Sequence, residues 1–62
     1  DLGKVLELLP EQQRAAIIHT KLDGWSVRET ANVMKISEAS VKVAVHRGLK
    51  TLAMKLRDEH EN

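Results

Sequence analysis

Hydrophobic and polar residues follow one another along this chain with the period of an α-helix, and three breaks divide the pattern into four segments. The breaks are residues 9–10 (Leu-Pro), 23–24 (Asp-Gly) and 35–37 (Lys-Ile-Ser). Proline cannot continue a helix, glycine suits the left-handed residue that ends one, and serine is a common N-cap. The pattern therefore predicts an all-α chain of four helices.

The first two predicted helices are short and amphipathic. The apolar face of the first is made of Leu2, Val5, Leu6 and Leu9. Pro10 suits the first turn of the second helix, which we expect to end near Leu22, before a left-handed Gly24. The apolar side of the second helix is expected to consist of Ala15, Ile18 and Leu22, with Ile17 adjacent.

A capping box predicts where the third helix begins. Ser26 and Glu29 have the spacing at which each side chain accepts a backbone N–H of the other residue, and Trp25 stands just before them as a hydrophobic staple. We interpret Trp25 as a structural residue. Because Ser37 signals a new N-cap, the third helix is expected over residues 27–34 and the fourth from residue 38 to about 57, with a frayed tail at 58–62.

The fourth predicted helix has two different faces. Its buried stripe is expected to consist of Val41, Val45, Gly48 and Leu52. Its opposite face is expected to consist of Ala39, Lys42, Val43, His46, Arg47 and Lys50. A short helix, a three-residue turn and a longer helix with a basic outer face form a helix-turn-helix. Ala31 at the helix crossing, Ile36 in the turn and Val41 after it agree with that motif.

Composition restricts the function further. The 62 residues suffice for one small domain, which we expect to be a fragment of a longer chain since it begins at Asp1 rather than Met. Cysteine is absent, which excludes disulfides and thiolate metal sites and favours a cytoplasmic location. We find neither an apolar run of membrane-spanning length nor a signal peptide, and we expect no membrane partner.

The formal net charge of +1 conceals a basic block. Residues 1–34 carry a net charge of −1, residues 35–57 carry +5, and residues 58–62 carry −3. A basic segment within a nearly neutral chain is typical of a protein that binds a polyanion, although a solvated helix face gives the same pattern. Enzyme function is not expected, because His19, His46 and His60 lack metal-ligand spacing and no glycine-rich phosphate loop is present. We therefore expect no cofactor.

Several motifs at fixed spacing resemble region 4 of bacterial sigma-70 factors, and specifically the extracytoplasmic-function group. They are LPEQQR at 9–14, DGWS at 23–26, SVRETANVMKIS at 26–37, VK at 41–42, HR at 46–47 and Leu52, and the resemblance covers about residues 6–56. It implies a four-helix domain that places its last helix in the minus-35 promoter element as part of a sigma factor bound to RNA polymerase. It also implies an anti-sigma factor as a further partner.

The resemblance assigns candidate DNA contacts to the helix-turn-helix. The residues concerned are Arg28, Ser37, Glu38, Ala39, Ser40, Lys42, Val43, His46, Arg47 and Lys50. Those that open the helix would face the bases, and His46, Arg47 and Lys50 would approach phosphates. This division agrees with the physics of recognition, since base edges carry sequence information and cations neutralise the backbone.

The sequence departs from the family pattern at several positions. Lys35 replaces the usual turn glycine and is expected at positive φ, at a cost of roughly 1 kcal/mol. Thr30 replaces an aliphatic residue, and the outer face is less basic at Val43, Ala44 and Leu49.

Two interpretations of these departures remain open. Ala39 and Val43 would contact thymine methyl groups in a promoter-binding helix. Alternatively, the chain would be a sigma-like domain of a response regulator that captures an anti-sigma factor instead of binding DNA. A candidate protein interface consists of Val43, Leu49, Ala53 and Met54, unless these residues pack against the first two helices.

Overall fold

A computed structural model describes the backbone of residues 2–61 and the side chains of residues 3–58. Four α-helices follow in order: α1 (Leu2–Glu7), α2 (Glu11–Ile17), α3 (Val27–Met34) and α4 (Glu38–Glu61). A π-helical segment, Ile18–Leu22, continues α2 directly. The part of the chain that the structure describes contains no strand, so the predicted all-α, four-helix class is confirmed.

Two small clusters of buried residues hold the helices together. One cluster packs α1 and the residues after it against α2 and the C-terminal half of α4. It consists of Val5, Leu6, Leu9, Ile17 and Leu52. The other lies where α2, α3 and α4 meet, and consists of Ala16, Ala31, Val41 and Ala44, with Val27, Met34, Ile36 and Val45 packed against it. The predicted apolar face of α1 is thus confirmed for its described side chains, and the side chain of Leu2 lies outside them.

The apolar side predicted for the second helix is wrong in part. Ala16 and Ile17 are buried, whereas Leu22 is 61% exposed and Ala15 and Ile18 are only half-buried. The N–H of Asp23 donates to the carbonyl oxygen of Ile18 at 2.9 Å, an i→i+5 bond of a π-helix. Because this turn is wider than an α-turn, a residue four positions after Ile18 no longer lies on the buried face.

Local hydrogen bonds set the bounds of α3 as the capping box predicts. The N–H of Glu29 donates to Ser26 Oγ at 3.0 Å, and the N–H of Ser26 donates to Glu29 Oε1 at 3.2 Å. Thr30, although polar, is fully buried, and its hydroxyl donates to the carbonyl oxygen of Ser26 at 2.9 Å. The hydroxyl is therefore satisfied in the core. Gly24 has the expected positive φ of 75°.

The turn between α3 and α4 contains the expected strained residue. Lys35 has φ 59° and ψ 43°, in the left-handed region, and its N–H donates to the carbonyl oxygen of Ala31. Ile36, half-buried beneath the turn, also donates its N–H to that oxygen at 3.1 Å. Ser37 Oγ then accepts the N–H of Ser40 at 3.0 Å, so Ser37 is the N-cap of α4 as predicted.

Helix α4 is the longest element, and it crosses α2 closely. Gly48 is buried against Ile17, and a β-carbon built on Gly48 would overlap Cδ1 of Ile17 and approach its Cγ1 to 3.3 Å. The predicted buried stripe is confirmed at Val41, Gly48 and Leu52, while Val45 is half-buried. The helix extends to Glu61, beyond the end predicted near residue 57.

A search of the described residues for a helix both long enough and apolar enough to cross a membrane found no candidate. With 24 residues, α4 has the length for such a span. Its charged outer face makes it too polar.

Candidate nucleic-acid interface

The helix-turn-helix leaves one face of α4 exposed from its first turn onward. Ala39, Lys42, Val43, His46 and Lys50 are all exposed and recur at intervals of three and four residues, so they form one stripe along the helix. At a rise of about 1.5 Å per residue, the stripe is roughly 17 Å long. A helix with its side chains is about 10–12 Å across and therefore fits the major groove of B-DNA, which is about 12 Å wide. The stripe would then lie along the groove.

The charges of this face are not neutralised within the domain. Lys42, Arg47 and Lys50 are exposed, and no described carboxylate lies within ion-pair distance of them. Within α4, acidic residues occur only at Glu38, in the first turn, and from Asp58 onward. Cations without an internal partner are the groups that neutralise phosphates and release counterions on binding nucleic acid.

The two serines at the start of α4 have different hydrogen-bond assignments. Ser37 Oγ accepts the backbone N–H of Ser40 and donates to Ser40 Oγ at 2.8 Å. The Ser37 hydroxyl is therefore occupied by capping the helix. The hydroxyl of Ser40 accepts that bond and retains its own proton, which can be donated to an external oxygen.

Arg28 lies near the start of α3, where its side chain is exposed. Glu38 is likewise exposed at the start of α4. All ten candidate DNA-contacting residues are thus at least partly accessible: nine of them are exposed and Ser40 is half-buried. Nine of the ten lie between Ser37 and Lys50, at the N-cap of α4 and along that helix, and Arg28 lies on α3.

The exposed stripe forms a ridge between two grooves. The first groove lies between the start of α2 and α4, and is lined by Pro10, Gln12, Gln13, Ala39, Ser40, Val43, Ala44 and Arg47. The second lies on the other side of α4, and is lined by Thr20, Lys21, Val27, Lys42, Val45, His46 and Leu49. Sequence reasoning missed Gln12 and Gln13, because only the packing of α2 against α4 brings these residues beside the recognition face.

The candidate protein interface is exposed but divided. Val43 is 47% exposed, Leu49 41% and Met54 58%, and Ala53 is also exposed, so the alternative that all four pack against the first two helices is wrong. Val43 lines the first groove and Leu49 the second. Val43 and Leu49 therefore line different grooves, and a protein interface that includes all four residues stays a prediction.

Ala44 requires a correction. The sequence comparison treated it as a missing polar residue of the outer face, but it is only 4% exposed and packs with Ala16, Ala31 and Val41. A small residue is needed at this place because three helices meet there. A larger polar side chain at 44 would separate the helices rather than add a DNA contact.

The histidines have distinct surroundings. His19 is half-buried, its Nδ1 lies 3.1 Å from Asp23 Oδ2, and its ring stacks on Trp25 with centroids 4.4 Å apart. Trp25 thus serves to close the loop after the π-helical segment, consistent with a structural role. His46 is exposed on α4, and the side chain of His60 lies outside the described residues. No cluster of potential metal ligands occurs among the side chains that the structure describes.

Comparison with known proteins agrees with this geometry. Residues 1–52 match the family described as sigma-70, region 4. Over 57 residues, 92% of this chain, the sequence is 42% identical to the ECF RNA polymerase sigma factor SigF of Caulobacter vibrioides. Over 40 residues, 64% of this chain, it is 50% identical to the ECF RNA polymerase sigma factor SigX of Bacillus subtilis. These matches span only 32% of SigF and 21% of SigX, so the chain corresponds to a minor part of either protein.

Proposed function

We propose that this chain, which belongs to the sigma-70 region 4 family, recognises the minus-35 element of bacterial promoters through α4. The observation that carries the proposal is the exposed face of α4, which consists of the stripe and the adjacent Arg47, and on which Lys42, Arg47 and Lys50 have no described acidic partner. Promoter recognition in transcription initiation is the function that this family and the two sigma-factor relatives support.

The proposed roles follow from position along α4. The first turns carry Glu38, Ala39, Ser40, Lys42 and Val43, which would face base edges in the major groove. His46, Arg47 and Lys50 come later and would approach phosphates, as cations do at such interfaces. Arg28 would reach the phosphate backbone from α3, and Ser37 would hold the start of α4 while lying at the same surface.

The partners follow from the same proposal. A domain of this family would act within a sigma factor bound to the RNA polymerase core, in the bacterial cytoplasm and without a catalytic step or cofactor of its own. The relatives are named as RNA polymerase sigma factors, which supports the polymerase as a partner. An anti-sigma factor is the further proposed partner.

Capture of an anti-sigma factor, without DNA binding, is the second candidate function. The exposed Leu49 beside Val27 and Val45 in the second groove favours it, since apolar side chains in an accessible groove suit a protein partner. Lys42, Arg47 and Lys50, which have no described acidic partner, favour DNA, because each phosphate of DNA carries a negative charge that such cations neutralise.

Titration of duplex DNA against salt tests the first function. We expect the logarithm of the association constant to fall linearly with the logarithm of salt concentration, by about 0.9 per neutralised phosphate. Arg47→Ala should lower that slope by about 0.9, whereas Lys4→Ala, an exposed cation on α1, should leave it unchanged. A response independent of salt, with Arg47→Ala and Lys42→Ala both without effect, would refute DNA binding and favour anti-sigma capture.

A further inference from the structure

The first groove places two carboxamide side chains beside the recognition face. Gln12 is exposed and Gln13 is half-buried, both in the first turn of α2, and both line the same depression as Ser40, Val43 and Arg47 of α4. Hydrogen-bond partners for the two amides are absent among the described side chains and backbone groups. Each amide NH2 group therefore has two hydrogens free to donate to a ligand.

Close helix packing fixes the part of α2 from which these side chains extend. Cβ of Gln13 lies 3.5 Å from the place that a β-carbon on Gly48 would occupy, so the side chain leaves α2 directly against α4. Gln12, one residue earlier, lines the same groove. A glycine at 48 is what allows the two helices to approach this closely, and the approach brings α2 next to the stripe of α4.

We infer that Gln12 and Gln13 form a second DNA contact, donating hydrogen bonds to the sugar–phosphate backbone that borders the major groove occupied by α4. The inference rests on the proposed function, since it requires α4 to lie in that groove. A helix with its side chains is about 10–12 Å across and the major groove about 12 Å wide, so an element beside the helix meets the phosphate strand rather than the bases. Glutamine is among the side chains that contact phosphates at such interfaces.

The charge of the groove suits an anionic ligand. Arg47 is the charged residue among its lining residues in the described part of the chain, and no carboxylate is among them. Glu11 lines the neighbouring depression with Ala15 and Met34, and Gln12 stands between the two depressions and lines both. A phosphate between α2 and α4 would thus have Arg47 on one side and the two amides on the other.

Binding measurements on variants test the inference. The probe is a DNA duplex selected from a random pool by the wild-type chain, and the variants are Gln12→Ala, Gln13→Ala and the double substitution. Each single variant should weaken binding by about two- to tenfold, as expected for one lost hydrogen bond. Because glutamine is uncharged and releases no counterion, the salt slope should not change, whereas Arg47→Ala should lower it by about 0.9.

Asn32→Ala provides the matched control. It removes a carboxamide from an exposed position on α3 that lines neither groove, and should leave affinity unchanged. Circular dichroism of each variant checks that the helices are intact, and alanine favours helix formation at both glutamine positions.

Phosphate ethylation interference supplies a second measurement. With the wild-type chain, ethylation of at least one phosphate should block binding. With the double glutamine variant, ethylation of the same phosphate should no longer affect binding. If the wild-type chain binds duplexes but the glutamine variants match it in affinity and interference pattern, the inference is refuted and the proposed function stands. If no duplex is bound by the wild-type chain, both the proposed function and the inference fail.

Discussion

The left-handed residue at the helix turn offers a stability test in which two substitutions differ only by a β-carbon. Lys35 has φ 59° and ψ 43° and is exposed, so substitution there changes backbone strain and one surface charge without opening a cavity. An L-residue with a β-carbon in this conformation costs about 1–2 kcal/mol, which glycine avoids. We therefore compare Lys35→Gly with Lys35→Ala, since both remove the lysine charge.

The expected difference is smaller than the full strain. Glycine gains freedom in the unfolded chain, which lowers folded-state stability by about 0.4–1 kcal/mol relative to alanine. With the midpoints of the two ranges, about 1.5 and about 0.7 kcal/mol, the remainder predicts that Lys35→Gly is more stable than Lys35→Ala by about 0.8 kcal/mol. For a chain of this size, a urea m-value of about 1 kcal/mol/M converts this difference to a midpoint shift of about 0.8 M.

Urea denaturation provides the assay. Unfolding is followed by circular dichroism and by the fluorescence of Trp25, the single tryptophan of the chain. The matched control is the pair Asn32→Gly and Asn32→Ala within α3, where glycine should be less stable than alanine by about 1 kcal/mol. If the stability difference between the glycine and alanine variants has opposite signs at positions 35 and 32, the strain argument is supported. Equal stability of the glycine and alanine variants at position 35, or a less stable glycine variant, would refute it.

Two further substitutions test the packing and capping of the helices that present α4. Ser26→Ala removes one half of the capping box and should destabilise the domain by about 1 kcal/mol, measured as a lower urea midpoint. Ser26→Asp should retain the cap, because aspartate is also a good N-cap residue. An equal loss of stability in both variants would contradict the assigned hydrogen bond. Gly48→Val should destabilise the domain by about 1–3 kcal/mol, because the valine side chain would overlap Ile17 where α2 and α4 cross. Lys50→Val, at an exposed position of the same helix, should destabilise it much less. Similar urea midpoints for the two valine variants would contradict the close approach of the helices.

Local signals account for what the sequence predicts correctly. The bounds of α3 follow from the capping box before it and Ser37 after it, and the positive φ of Lys35 follows from the resemblance, in which a glycine usually occupies that place in the turn. Each of these depends on residues within a few positions of one another. The all-α class follows in the same way from helical periodicity, which is repeated in every segment of the chain.

Tertiary contacts account for what the sequence does not predict. The π-helical turn after Ile17 changes which residues face the core, and no residue type near Leu22 signals an i→i+5 bond in advance. The burial of Ala44 depends on three helices meeting at one place. Gln12 and Gln13 lie beside α4 because α2 and α4 cross at Gly48, which is distant from the two glutamines along the chain.

The small residues of the core explain how so short a chain can present a long helix. Ala16, Ala31 and Ala44 are buried where α2, α3 and α4 meet, so the backbones approach closely and large apolar side chains are not needed to fill the space. Close approach leaves little room for α4 to rotate about its axis, because a rotation would drive Lys42 or Val43 towards these alanines. The same packing that stabilises the domain therefore keeps the exposed stripe directed outwards. A larger residue at Ala31 would accordingly disturb the orientation of the candidate DNA-binding face without altering any residue on it.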